Sequence, residues 1–372
     1  MAFGGRLIIF MITIETFVLL LISILLIFNI IIYLGLKLKR QLLKERNNKI
    51  FISIVIAAKN EEENIISLIK SIKDLDFPSK QFELIIVDDN SNDNTLKVAE
   101  SYAKDLPNLF IYSIKEKRLP GKKGALDFGI AKTRYPYILI TDADCIPAKD
   151  WLKNYSNKFS EGYDFLFGIA PFVKEDSLIN KISCFENLKS SILTFSAANI
   201  GFPYSAAARN FGFNKLSFYK IAGYNNTTET LSGDDDLLLR EAVKNRLRIG
   251  TIVESSSCVY SYSKKTFKEY FSQRSRHTKT SFYYLPSRQV LLGIWHLINL
   301  ICIFSIILIP INLLYLIPFS LKLLFDVVLT MVFQPFFGYK FNLIELLFLQ
   351  LNYEILLVIN FFGAIFKNDK WK

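Results

Sequence analysis

Residues 137–145 read YILITDADC, a short apolar run that ends in two aspartates, Asp142 and Asp144, with one alanine between them. An apolar run of this length is typical of a buried strand. Alternate residues of an extended segment point the same way, so both carboxylates can face one ion while Ala143 points back into the protein. The stretch therefore predicts a carboxylate pair close to a strand end, where open α/β sheets bind ligands.

Strand-like and helical patterns alternate around this stretch, between residues 50 and 285. IFISIVIAA (50–58), FELIIVDD (82–89) and LFIYSI (109–114) read as strands, and a helical pattern follows KNEEEN (59–64). The alternation predicts an α/β fold with a largely parallel sheet that is covered on both faces. After the second strand come residues suited to capping a helix, namely Ser91, Asn92, Asp93 and Asn94.

The composition indicates a membrane protein, because 51% of the 372 residues are hydrophobic and the mean hydropathy is +0.27. Between Leu7 and Leu36 the only charged residue is Glu15. About 20 apolar residues suffice to cross a bilayer. We expect residues 1–36 to form an N-terminal transmembrane anchor, since a cleaved signal peptide would be shorter and would end in small residues.

A basic segment at 37–49 follows, with Lys37, Lys39, Arg40, Lys44, Arg46 and Lys49 against the single Glu45. By the positive-inside rule it places the central domain in the cytosol, which predicts a multi-pass protein of the cell (inner) membrane. The four cysteines show no zinc-site or disulfide spacing. Much of the net charge of +11 lies at the membrane boundaries, which favours contact with a lipid bilayer and no nucleic acid as partner.

The C-terminal region, 289–372, is again apolar. Segments 290–309 and 345–366 read as spans, although Glu354 and Asn360 would need protein neighbours or an aqueous face. The lysines of the tail prefer the cytosol, so parity favours two crossings, with 319–341 interfacial or re-entrant. Three crossings are the alternative.

Two further motifs contain residues that suit phosphate binding and proton transfer. PGKKGALD (120–127) sets Lys122 beside glycine, which lets backbone and charge approach a diphosphate. In SGDDDLLLR (232–240), Ser232 or Asp234 can cap a helix, which leaves Asp235 as a candidate general base. Plain stabilisation of the helix dipole is the competing reading.

Residues 264–288 mix aromatic and basic residues at helical spacing and include QRSRH (273–277). This pattern predicts an amphipathic helix in the membrane interface. The intervening 50–263 would then be the catalytic domain.

Taken in order, these segments resemble the membrane-bound branch of the inverting family-2 glycosyltransferases with the GT-A fold. AAKNEEENI (57–65), VDDNSNDNT (87–95) and GKKGAL (121–126) match three elements of that family. TDAD (141–144) matches its metal-binding D-x-D motif, GDDDL (233–237) its E-D-x-x-L base motif, and QRSRH its Q-x-x-R-W motif. The resemblance covers about residues 50–285.

The resemblance implies a role for each matching position. The nucleotide sugar would be bound by Ala57, Lys59, Glu61, Asp88, Asp89, Lys122, Asp142 and Asp144, with Asp89 as the contact to uracil and Asp88 in support. Asp142 and Asp144 would hold Mg²⁺ or Mn²⁺, and Asp235 would be the catalytic base. Asp234, Gln273, Arg276 and His277 would lie near the acceptor and the diphosphate. Asp234 replaces the usual glutamate, and His277 replaces the usual tryptophan.

The implied activity is hexosyl transfer, with inversion, from a UDP-sugar to a membrane-associated acceptor such as a lipid-linked glycan or a glycolipid of the cell envelope. Two alternatives stay open. One is a processive polysaccharide synthase, which His277 and the few spans disfavour. The other is a non-catalytic membrane scaffold that retains the fold.

Overall fold

A computed structural model describes residues 2–37, 49–104 and 106–366. Most of the predicted basic segment 37–49, and the lysines of the tail beyond 366, lie outside the described residues.

The strands of the described chain are β1 Ile52–Ala58, β2 Phe82–Asp88, β3 Leu109–Ser113, β4 Tyr137–Ile140, β5 Cys145–Pro147, β6 Phe165–Gly168, β7 Phe211–Asn214, β8 Ile249–Ile252 and β9 Val259–Ser261. Its helices are α1 Ala2–Lys37, α2 Ile65–Lys73, α3 Thr95–Ala103, α4 Gly121–Lys132, α5 Trp151–Phe159, α6 Leu178–Asn199, α7 Lys215–Lys220, α8 Asp236–Lys244, α9 Phe267–Thr280, α10 Pro286–Phe304, α11 Leu316–Phe333 and α12 Leu343–Phe366.

Within these ranges, seven strands form one sheet in the order β3-β2-β1-β4-β7-β6-β8. β7 runs antiparallel to both of its neighbours, and the remaining pairs are parallel. The predicted α/β fold with a largely parallel sheet is confirmed. β5 and β9 pair separately as a short antiparallel ribbon.

Alternate residues of β1 supply both faces of the sheet. Ile54 and Ile56 join a buried cluster with side chains of α2, α3 and α5, whereas Val55 joins a second cluster with α4, α6 and α8. The second cluster extends to residues of α1, α11 and α12. The seven-stranded sheet and the apolar helices therefore share one continuous core.

α1 packs closely against α6. A Cβ atom added at Gly35 would lie 2.5 Å from Ser196 Oγ, which is closer than real contacts allow. The amide of Asn199 also donates to the carbonyl of Gly35 at 3.0 Å. Only glycine permits this approach of the N-terminal helix to the α/β domain.

Among the described residues, four helical segments are long and apolar enough to cross a membrane: Ile14–Lys37, Pro286–Leu308, Leu313–Phe337 and Leu343–Phe366. The stretch 319–341, predicted to be interfacial or re-entrant, contains most of α11, which belongs to the third of these four segments. The preference for two C-terminal crossings stays a prediction.

Two local expectations need correction. The helix predicted over 264–288 ends at Thr280, and Pro286 already begins α10 because proline suits a first helical turn. Asp235 caps α8, where Ser232 or Asp234 was expected, since its side chain accepts from the Asp236 N–H. At α3 the side chain of Asp93 accepts from Thr95 N–H at 3.0 Å, as one of the expected capping residues.

Candidate active site

The carboxyl ends of β2, β1 and β4 are neighbours at one edge of the sheet, and a cavity of about 1220 Å³ opens there. With the exception of Asp88, the predicted site residues line this cavity: Ala57, Lys59, Glu61, Asp89, Lys122, Asp142, Asp144, Asp234, Asp235, Gln273, Arg276 and His277. The structure therefore brings together segments that are separated by more than 200 positions in the sequence.

The loops that follow β1 and β2 are tied to each other. The backbone N–H of Asn60 donates to Ser91 Oγ at 3.0 Å, and that of Asn92 donates to Asn60 Oδ1 at 2.9 Å. The N–H of Glu61 donates to Thr95 Oγ1 at 2.8 Å. These bonds hold Lys59 and Glu61 beside Asp89 before any ligand binds.

Asp88 and Asp89 have different surroundings. Asp88 is buried behind the cavity, where its Oδ2 accepts from the Ser113 hydroxyl at 3.2 Å. Asp89 faces the cavity and pairs with Lys117 Nζ at 2.5 Å. Lys117, which also donates to the carbonyl of Gly121 at 2.9 Å, was missed by sequence reasoning because the stretch 115–123 is lysine-rich throughout.

Asp142 and Asp144 follow β4, as predicted, and their carboxylate oxygens and Cys145 Sγ all lie within 4.8 Å of one another. Burial raises the pKa of the Cys145 thiol well above its usual range, so the thiol keeps its proton and donates to Asp144 at 3.7 Å. The two carboxylates supply hard oxygen ligands, which fit Mg²⁺ or Mn²⁺. The protonated thiol of Cys145 is a poor ligand for such an ion.

Lys122 bridges two of the acidic motifs. Its Nζ lies 2.6 Å from Asp142 Oδ1 and 2.5 Å from Asp234 Oδ2. Burial alone would lower the pKa of Lys122, but these two carboxylates raise it well above the ordinary value, so the side chain is a fixed cation. The adjacent Lys123 donates to the carbonyls of Thr227 and Thr230 instead. Of this lysine pair, only Lys122 lines the cavity.

The three consecutive acids have separate partners. Asp234 binds Lys122, and Asp236 accepts from the hydroxyls of Tyr284 at 2.7 Å and Ser205 at 2.8 Å. Asp235 accepts from the backbone N–H groups of Ala208 and Asp236, both at 2.7 Å.

The pKa of Asp235 is raised well above the ordinary value by burial, then by repulsion from Asp236 and Asp234. A carboxylate that is held in place and made more basic has the properties of a general base.

A cation that sequence reasoning missed, Arg209, also lines the cavity. It lies two residues before the start of β7, and because β7 is antiparallel to β4 it is at the edge of the sheet where β4 ends. Its guanidinium donates to the carbonyl of Ala170 at 2.9 Å and covers the ring of Phe172 at 4.5 Å. No local motif marks such a residue, because its position depends on the direction of a distant strand.

The acids of the D-x-D motif respond differently to their surroundings. Burial would raise the pKa of Asp142, but the charges of Lys122 and Arg209 outweigh burial and lower it. The pKa of Asp144 is raised by burial and by repulsion from Asp142 and Glu61. An added divalent cation would relieve this repulsion.

α9 contributes Gln273, Arg276 and His277 to the cavity. His277 is exposed to the cavity, and its pKa is lowered by the desolvation there and then by the charges of the neighbouring Arg276 and Arg274. At neutral pH the imidazole is therefore uncharged. It can donate or accept a hydrogen bond without adding charge to the site.

Comparison with known proteins agrees with this architecture. The family model described as "Glycosyl transferase family 2" matches residues 53–216. Beta-monoglucosyldiacylglycerol synthase of a Nostoc species is 38% identical over 102 residues, which cover 27% of this chain and 22% of that protein. Dolichyl-phosphate beta-glucosyltransferase of Dictyostelium discoideum is 37% identical over 106 residues, which cover 26% of this chain and 32% of that protein. These matches thus span a third or less of each relative.

A similar solved structure is that of the mannosyltransferase PcManGT from Pyrobaculum calidifontis in complex with GDP-Man and Mn²⁺. It is 15% identical, has a TM-score of 0.60, and aligns over 95% of this chain and 99% of its own. At this identity the likeness concerns the fold alone, and it includes the apolar helices. Through residues 53–216, the chain carries a glycosyltransferase family 2 domain with the GT-A fold.

Proposed function

We propose that this protein transfers a sugar from a nucleotide sugar, of the UDP class, to a hydroxyl group of a membrane-associated acceptor, with inversion at the anomeric carbon. The observation that carries the proposal is the position of Asp235. It is a partly buried carboxylate with a raised pKa, and it lines the same cavity as Asp142, Asp144 and Lys122. A general base, a metal-binding pair and a phosphate-binding cation thus meet in one site.

The reaction is a single displacement. Asp235 takes the proton of the acceptor hydroxyl. At the same time the oxygen of that hydroxyl forms a bond to the anomeric carbon, and the bond from the anomeric carbon to the diphosphate breaks. The nucleoside diphosphate leaves with the electron pair, and the charge of Lys122 stabilises it. Asp142 and Asp144 would hold a divalent cation, which supplies further positive charge for the diphosphate. Positioning and charge stabilisation account for most of the acceleration.

The membrane setting supports a lipid acceptor. The cavity is lined by α10, α11 and α12 as well as by the α/β domain, and the named relatives act on diacylglycerol and dolichyl phosphate. We place the protein in the cell membrane with the α/β domain in the cytosol, in line with the positive-inside rule.

The test is release of nucleoside diphosphate by the purified full chain in liposomes, across UDP- and GDP-sugars, with Mn²⁺, Mg²⁺ or EDTA and a bacterial lipid extract. We expect metal-dependent release from one donor, raised by the extract. Mass spectrometry of the product separates single transfer from the polymer that a processive synthase would make. The absence of both release and nucleotide binding would instead favour a scaffold.

A further inference from the structure

The cavity contains a second group of charged residues, well away from the D-x-D motif. Lys189 of α6 pairs with Asp326 of α11 at 2.8 Å, and Lys322 of α11 pairs with both Asp326 and Glu354 of α12. The side chains of Lys322, Asp326 and Glu354 are only 1%, 2% and 3% exposed. We call the part of the cavity lined by these four residues, Trp295, Asn299 and Leu357 the inner chamber.

Such a buried group of charges contributes little to the stability of the folded protein. Burying each ion costs several kcal/mol, and apolar side chains of the same volume often stabilise a protein as well or better. Ionisable residues within apolar spanning helices generally mark a functional site. The inner chamber is continuous with the cavity that holds Asp235, and its lining comes largely from the apolar helices α10, α11 and α12, the part of the cavity nearest to a lipid acceptor.

The charges of the inner chamber indicate what it can bind. Each of its lysines is in contact with a carboxylate, and Asp326 also accepts from the amide of Gln350 at 2.7 Å. A phosphate monoester placed here would add negative charge to cations that are already neutralised by partners. In a site of low dielectric constant this extra charge is strongly unfavourable. Lys122 is paired as well, but it lies beside Asp142 and Asp144, whose divalent cation would offset the charge of the diphosphate.

The inner chamber also contains an uncharged amide oxygen that lacks a hydrogen-bond donor. Asn299 Nδ2 donates to the carbonyl of Trp295 at 2.6 Å, whereas Asn299 Oδ1 is buried and has no hydrogen-bond partner among the described residues. A hydroxyl group can donate to such an oxygen, whereas an ionised phosphate offers only acceptors. The apolar side chains of Trp295 and Leu357 suit the body of a lipid.

We propose that the inner chamber binds the head of an uncharged, hydroxyl-bearing lipid acceptor, of the diacylglycerol or neutral glycolipid class, in preference to a polyprenyl phosphate. This inference rests on the proposed glycosyl transfer and specifies its acceptor. One hydroxyl of the head satisfies Asn299 Oδ1, and another is directed towards Asp235.

The first experiment measures nucleoside diphosphate release by the full chain in neutral phosphatidylcholine liposomes that contain diacylglycerol, monoglycosyl diacylglycerol or undecaprenyl phosphate. We expect an uncharged lipid to raise turnover about tenfold or more and undecaprenyl phosphate to raise it less than about twofold, because productive binding of the right acceptor increases turnover. Greater stimulation by undecaprenyl phosphate would overturn the inference.

Two matched variants test the position of the chamber. Leu357→Trp fills it, whereas Ile359→Trp makes the same kind of change on α12 at a residue that is 46% exposed and does not line the cavity. We expect Leu357→Trp to raise the acceptor KM about tenfold, with donor affinity kept, and Ile359→Trp to match the parent protein. Equal acceptor KM values for both variants would contradict the assignment.

Glu354→Gln tests the charge argument, with a readout that a purely structural role would not move. It leaves one more positive charge in the chamber, so stimulation by undecaprenyl phosphate should rise relative to that by the uncharged lipid. An unchanged ratio would count against the inference.

Binding of UDP in the presence of Mn²⁺ distinguishes failure of the proposed glycosyl transfer from failure of the inference about its acceptor. Loss of all donor binding and turnover refutes both, whereas normal donor turnover with the wrong lipid preference refutes only this inference.

Discussion

Replacing Asp235 by asparagine keeps the size of the side chain and removes its basicity. A positioned general base contributes about 10²- to 10⁴-fold to a rate. We therefore expect the turnover of Asp235→Asn to fall by that factor, equivalent to about 3–5 kcal/mol of activation free energy. Donor affinity should change little, because Asp142, Asp144 and Lys122 stay in place.

The same substitution should hardly alter stability, because two effects oppose each other. Asparagine keeps one of the two bonds at 2.7 Å and turns its amide towards the other N–H, a loss of about 1–3 kcal/mol. In return it removes a partly buried charge. The folded-state pKa of Asp235 is raised above its unfolded value, so ionisation of this group destabilises the folded state, and the destabilisation grows as the pH rises above the unfolded value.

The assay combines the initial rate of nucleoside diphosphate release, UDP binding by calorimetry and the thermal midpoint in the same liposomes. Asp127→Asn is the matched control, because Asp127 pairs with Arg118 at 3.0 Å and does not line the cavity. It should keep full turnover. If Asp235→Asn retained more than about a tenth of the parent rate, the loss would be below the range for a general base and the assignment would be wrong.

Four further predictions follow from the site and the fold. In a plot of kcat against pH, the fall on the acid side should have its midpoint above about 4, the ordinary pKa of aspartate, because protonated Asp235 cannot act as a base and its pKa is raised. A midpoint at or below about 4 would contradict this. Asp144→Ala should abolish the difference in UDP affinity between Mn²⁺ and EDTA, and a persisting difference would place the cation elsewhere. Lys117→Met should weaken UDP binding several-fold, because Asp89 loses its partner at 2.5 Å, with Lys115→Met as the control. Gly35→Val should lower the thermal midpoint by several degrees, since its Cβ would meet Ser196 Oγ at 2.5 Å, and an unchanged midpoint would argue against close α1–α6 packing.

Much of this architecture could be predicted from local sequence. The apolar runs before Ala58, Asp88 and Ile140 identify parallel strands, and the alternation in Asp142-Ala143-Asp144 predicts a shared face for the two carboxylates. These features depend on periods of a few residues. The signal is therefore contained in the segment itself.

The remaining features depend on tertiary contacts. Arg209 reaches the site only because β7 is antiparallel, and Lys117 is one of several lysines in its segment. The need of Glu354 for a protein neighbour was foreseeable, but its partner Lys322 lies 32 positions away on another helix. The side chain that caps α8 was misassigned because Ser232, Asp234 and Asp235 all have suitable chemistry, and only the backbone geometry separates them.

The shared core also has a consequence for biosynthesis. Phe195 of α6 packs against Phe337 with ring centroids 5.5 Å apart, and Phe185 of α6 packs against Tyr353 at 5.9 Å. On the ribosome, α6 emerges well before these partners, so its apolar face stays uncovered until the last helices are made. We expect the transferase to mature only after α12 has been synthesised, and a chain terminated before α12 to be recognised by quality-control proteases through that uncovered face.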